Sequence, residues 1–84
     1  MKKTIVVVEA GWVFLADDVS EDATFPSLPA LHLKSASVIR VWGTKAGLGE
    51  IALKGPTKDT VLDFAGDIVV PTGHVLALIP CTYK

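Results

Sequence analysis

The chain is poor in the residues that usually carry chemistry. It has a single cysteine, Cys81, in 84 residues, so no disulfide closes within it, which suits a reducing compartment. Ile79, Pro80 and Thr82 around it bring no His or base to activate a thiol, and Cys81 reads as a small packed residue. There are two histidines, His32 and His74, far from each other and from Cys81 in sequence, which is too few for a metal set. No Ser-His-Asp or paired-carboxylate arrangement stands out, so neither an enzyme, a metal nor a cofactor is expected. No apolar run approaches the roughly 18 residues of a spanning helix. Met1-Lys2-Lys3-Thr4 before Ile5–Val8 resembles the opening of a secretory signal, but Glu9 interrupts the run and Trp12–Ala16 shows no cleavage pattern. A cytoplasmic protein without a membrane partner is expected. The formal net charge is −1, so no chain-wide field draws in nucleic acid, and duplex binding is not expected.

Apolar residues, in contrast, are abundant. They make up 50% of the chain, with a mean hydropathy of +0.48, more than a monomer of this size comfortably hides, and a homo-oligomer is expected. The charges are segregated. Glu9, Asp17, Asp18, Glu21 and Asp22 form an acidic stretch without a base, while Lys34, Arg40, Lys45, Lys54 and Lys58 make a basic middle interrupted by Glu50 alone. Either these are solvated loops or subunit contacts, or the basic middle is a pocket for an anion.

Residues 1–84 read as one domain, mainly β: a small barrel or sandwich of about six short strands with one short helix after the Trp42 strand. Thr4–Ala10 and Trp12–Asp17 read as a hairpin broken at Gly11. Val19–Pro29 has loop chemistry, with Ser20, Thr24, Pro26, Ser27 and Pro29. Leu31–Lys34 alternates, Ala36–Trp42 is a strand, and Thr60–Asp63, Asp67–Val70 and His74–Ile79 are three more β segments. Leu48, Ile51 and Ala52 fall at helical spacing before the Gly55-Pro56 stop.

The most informative stretch is Arg40–Thr60, where a strand runs into a glycine-rich, basic segment and a helix start, an order that can build an anion site. Arg40 and Lys45 offer charge and Trp42 a flat face. Thr44, Gly47 and Gly49 offer hydroxyl or backbone donors, with Thr57 and Lys58 placed to close the same site. Gly47-Leu48-Gly49 lacks the third glycine of a dinucleotide fingerprint, and no P-loop is present. The alternative is structural: Gly43, Gly47 and Gly49 shape a turn while Trp42 plugs the core.

The motifs Arg40-x-Trp42-Gly43-Thr44, Gly47-Leu48-Gly49-Glu50-Ile51-Ala52, Gly55-Pro56-Thr57 and Thr60-Val61-Leu62-Asp63 resemble a family of short, uncharacterised phage and prophage proteins, over residues 38–79. This chain departs from that pattern at Val41 and at Phe64-Ala65-Gly66. The resemblance implies a compact phage protein in a bacterial cytoplasm, and by analogy one that oligomerises and sequesters host immune nucleotides. The expectation is thus a non-enzymatic oligomer that holds a phosphorylated small molecule, a linear or cyclic nucleotide signal. The alternative is an inhibitor of a host defence protein acting by protein contact, or a small phage structural module, in which Asp17–Asp22 or a strand edge makes the contact.

Overall fold

The computed structural model describes residues 3–22, 29–43 and 47–83. Among them six strands form one antiparallel sheet: β1 (Thr4–Val8), β2 (Trp12–Ala16), β3 (Asp18–Asp22), β4 (Ala30–Val41), β5 (Val61–Pro71) and β6 (Val75–Pro80). A helix, α1 (Leu48–Lys54), follows the Trp42 strand. The expectation of a mainly β fold with one helix holds, and the sheet is curled into a half-barrel. Its neighbours run β3-β4-β2-β1-β6, with β5 on the other side of β4.

The hairpin explains the apolar character of the N-terminal segment. β1 and β2 pair from Thr4 with Ala16 to Val8 with Trp12, through a single 3₁₀ turn at Glu9–Gly11. Successive side chains of a strand alternate between faces, and here both faces are covered. Ile5, Val13, Leu15 and Ile39 pack with Ile51 and Ala52 of α1, while Val6, Phe14, Ala16 and Ala36 pack with Val19, Leu33 and Val70. A strand buried on both sides has no polar alternation to display, hence the run Ile-Val-Val-Val.

The curl follows from topology. β5 and β6 are joined by one 3₁₀ turn, Thr72–His74, yet β5 pairs with β4 and β6 with β1, at opposite sides of the sheet. So short a link brings the two sides together at that corner. His74 Nδ1 lies 2.9 Å from Glu9 Oε2 there, tying the two turns.

Three strands also kink along one line. Asp17 separates β2 from β3, and its N–H donates to Lys34 O at 2.9 Å. Beside it Ser35 takes φ +48°, and Ala36 faces Gly66 at φ +86°, with the β4–β5 register shifting on either side. Asp67 accepts the Ser35 N–H at 3.0 Å through Oδ1 and pairs through Oδ2 with His32 Nε2 at 3.2 Å. The kink folds β3 and the adjoining halves of β4 and β5 over the Val6–Phe14 face.

Three readings of the sequence need correction. Val19–Pro29 was expected as loop, but its first residues belong to a strand, Asp18–Asp22, paired with Ala30–Lys34, while residues 23–28 lie outside the described residues. Its one large apolar residue, Val19, is 4% exposed against Leu33, too little alternation to mark a strand in sequence. Leu31–Lys34 and Ala36–Trp42 are one strand, and Thr60–Asp63 and Asp67–Val70 another, because the ladder continues through Ser35 and Gly66 as irregularities instead of breaking.

Helix α1 is short because its ends are set locally. Leu48, Ile51 and Ala52 share the inward face. Gly55, at φ +86°, returns its N–H to Ile51 O at 2.8 Å, and Thr82 N–H satisfies Ala52 O at 2.7 Å. The chain end is thereby stitched to the helix, an answer to the unpaired carbonyls every helix terminus leaves. Tyr83 lies against Gly55, with Lys3 Nζ 5.5 Å from its ring centre.

Candidate functional site

The Gly-Pro-Thr and Lys-Asp-Thr residues after α1 act on the strand end. Thr57 Oγ1 donates to Gly43 O at 2.7 Å and accepts the Asp59 N–H at 3.1 Å. Thr60 Oγ1 donates to Trp42 O at 2.6 Å and accepts the Thr57 N–H at 2.9 Å. The two threonines clamp the Trp42–Gly43 backbone. Gly43 has φ +64°, and a Cβ there would penetrate the Asp59 carbonyl and the Thr60 nitrogen, so only glycine fits this crossing.

The residues expected to form an anion site are therefore distributed. Thr57 serves the clamp. Trp42 is 44% exposed and turns its ring toward Gly47, at the α1 N-terminus. Gly49 and Lys58 are exposed, with open space around Gly49. Thr44 and Lys45 lie outside the described residues. Arg40 projects from β4 into a different setting.

That setting is a hollow of about 520 Å³ lined by Ala10, Gly11, Trp12, Val38, Arg40 and Asp63. Arg40 Nε is 2.9 Å from Asp63 Oδ2 and its Nη2 donates to Oδ1 at 3.4 Å, a two-point pair across β4 and β5. Both side chains are more than half open to water or nearly so, and such a pair adds at most about 1 kcal/mol to stability. It does fix the plane of the guanidinium, which has five donors, of which Asp63 takes two.

Trp12 divides this hollow from a second one of about 410 Å³, lined mainly by Val8, Phe14, Ala65, Ile68 and Val69. Trp12 is 54% exposed, stacked on the buried Phe14 with centroids 6.1 Å apart and planes 8° from parallel. Phe14 pairs with Val38, so the next residues on that face, Trp12 and Arg40, come to the same hollow. An indole face backed by a phenyl ring, beside a fixed guanidinium, can stack a planar group and hydrogen-bond an anion.

Trp12 and Asp63 were not among the residues expected to form a site. The register that sets them beside Arg40 comes from β2–β4 and β4–β5 pairing between distant segments, for which the local sequence carries no signal.

Burial pushes the Cys81 thiol and the Tyr83 hydroxyl up from their ordinary values, Lys3 opposing in both cases. The Ser35 N–H, then the His32 hydrogen bond, hold Asp67 below the usual carboxylate value. Among the described residues no three His, Cys, Asp or Glu side chains gather as a metal set, and no helix is long and apolar enough to cross a membrane. No family model, no curated protein and no solved structure matches the chain.

Proposed function

We propose that this chain is a non-enzymatic binding protein whose ligand is a phosphorylated planar molecule, a linear or cyclic nucleotide, held between Trp12 and Arg40. One observation carries the reading: an indole face 54% exposed and a guanidinium line the same hollow of about 520 Å³. A base stacked on Trp12 gains about 1–3 kcal/mol, and a phosphate on Arg40 gains roughly 1.5–3 kcal/mol for a charge-assisted hydrogen bond. Asp63 pre-orients the guanidinium and so lowers the entropy lost on binding. Self-association belongs to the proposal on composition, since Leu62, Phe64, Val69, Leu76 and Leu78 remain exposed along β5 and β6. Sequestration of a nucleotide signal in the cytoplasm of a phage-infected bacterium is the use that the family resemblance implies.

The second reading, a protein-contact inhibitor of a host defence protein or a small phage accessory module, is favoured by a separate patch. Val41 at the end of β4 and Leu62 and Phe64 in the first half of β5 are exposed, Phe64 at 74%. Native mass spectrometry with a panel of linear and cyclic nucleotides separates the two. A retained nucleotide, lost in Trp12→Ala and weakened at least tenfold in Arg40→Ala, supports the pocket. With Trp42→Phe as background, Trp12 fluorescence should respond to the same ligand. If every nucleotide leaves both the mass and the Trp12 emission unchanged, the small-molecule reading falls and protein contact replaces it.

A further inference from the structure

Two of the outer strands of the half-barrel, β5 and β6, are guarded differently. β5 carries Asp63 and Asp67 and is irregular at Gly66, features that discourage pairing with another chain. β6, Val75-Leu76-Ala77-Leu78-Ile79-Pro80, has no charged residue. Its irregularity is a register shift at Leu76, its proline is the last residue, and Leu76 and Leu78 are 65% and 38% exposed. Among the described residues nothing pairs with its outer side.

The direction of its amides is fixed by β1. Cys81 N–H donates to Lys3 O at 2.9 Å, and the register pairs Ile79 with Ile5 and Ala77 with Val7. Backbone groups alternate sides along a strand, so those of residues 77, 79 and 81 point to β1 and those of Leu78 point outward.

We propose that β6 is the contact between two copies of this chain, paired antiparallel about a two-fold axis perpendicular to the sheet. Matching the outward groups of Leu78 and Pro80, which lie beyond the register shift at Leu76, sets Leu78 of one copy opposite Leu78 or Pro80 of the other. A strand free of charge and self-complementary in register suits a second copy, and one isologous association covers both exposed edges at once. Pro80, without an N–H, falls at the end of the ladder, where its missing donor is tolerated. Leu78 and Pro80, opposite Val6 and Thr4, share the face of Phe14, so the two Trp12 hollows open on the same side of the joined sheet. The inference specifies the self-association included in the proposed function and does not depend on the nucleotide.

The test is native mass spectrometry and sedimentation of the full chain without ligand. The wild type should show twice the 8.9 kDa chain mass, Leu76→Lys should show the single-chain mass with unchanged circular dichroism, and Phe64→Lys should remain dimeric. Hydrogen exchange of the unmodified protein provides a check independent of any variant. The outward Leu78 amide should be protected at high concentration and lose that protection on dilution. A wild-type monomer, a dimeric Leu76→Lys, or Leu78 exchange independent of concentration overturns the proposal. A dimer that retains no nucleotide supports it while refuting the pocket, and a monomer that retains one does the reverse.

Discussion

Gly43 and Gly49 belong to one glycine-rich segment, and the structure assigns them opposite responses to alanine. At Gly43 the backbone sits at φ +64°, which costs an L residue about 1–2 kcal/mol. The new methyl group would also overlap the Asp59 carbonyl and the Thr60 nitrogen. The 57–60 turn must then move, straining the bonds from Thr57 Oγ1 to Gly43 O and from Thr60 Oγ1 to Trp42 O. Each is worth about 1 kcal/mol net, so Gly43→Ala should destabilise by roughly 3–4 kcal/mol, a large share of the ~5–15 kcal/mol typical of a domain. Gly49 lies inside α1 at an ordinary helical φ, with nothing within 4 Å of its added methyl group. Gly49→Ala should therefore stabilise by about 0.5–1 kcal/mol. Urea unfolding read by circular dichroism, with the slope m shared among variants, measures both. For a chain this short each kcal/mol moves the melting temperature by roughly 4–8 °C, so the two variants should separate widely in a thermal scan too. Equal midpoints for the two would refute the clamp.

Ile51, fully buried between α1 and the sheet, should cost about 2–5 kcal/mol as alanine, seen as a lower urea midpoint with loss of the helix from the cooperative unit. Asp67→Asn should show a pH signature. The carboxylate is held below its usual value of 3.8 by the Ser35 N–H and then by His32. A depressed folded-state value contributes stability that is present above the unfolded value and lost as pH falls through the folded one. The midpoint difference between wild type and Asp67→Asn should hold from neutrality down to about pH 5 and shrink below about pH 4, and a difference that grows in acid would refute this role.

How far the sequence reaches depends on whether a feature is set locally. The helix could be read from Leu48, Ile51 and Ala52 before Gly55-Pro56, because its period, its inward face and its stop all lie within one short window. The N-terminal hairpin was legible for the same reason, the β-branched run Thr4–Ala10 and the apolar run Trp12–Asp17 flanking Gly11. β3 was not, since Asp18–Asp22 becomes a strand only by pairing with Ala30–Lys34, and its side chains alone describe a polar loop. The kinks at Ser35 and Gly66 were hidden in the opposite sense. They look like ends of strands, but the ladder on each side is held in place by the partner strand and by Asp67.

The same distinction governs the site. Thr57 and Gly43 are far apart in sequence, and a hydroxyl next to lysine in a glycine-rich stretch invites an anion-binding reading, whereas its actual acceptor is the Gly43 carbonyl. Arg40 was legible as a candidate because it opens the basic, glycine-rich stretch, yet its surroundings were not, because Trp12 reaches it across β2–β4 pairing and Asp63 across β4–β5 pairing. The kink line then gives the hollows their walls. By folding the distal halves of β4 and β5 over the Val6–Phe14 face, it carries Ile68 and Val69 to one side of Trp12 while Asp63 stays on the other. Ser35, Gly66 and Asp67, at the kink, therefore bear on the hollow lined by Ile68 and Val69, while the one that Arg40 shares with Trp12 is lined from the near halves of β4 and β5.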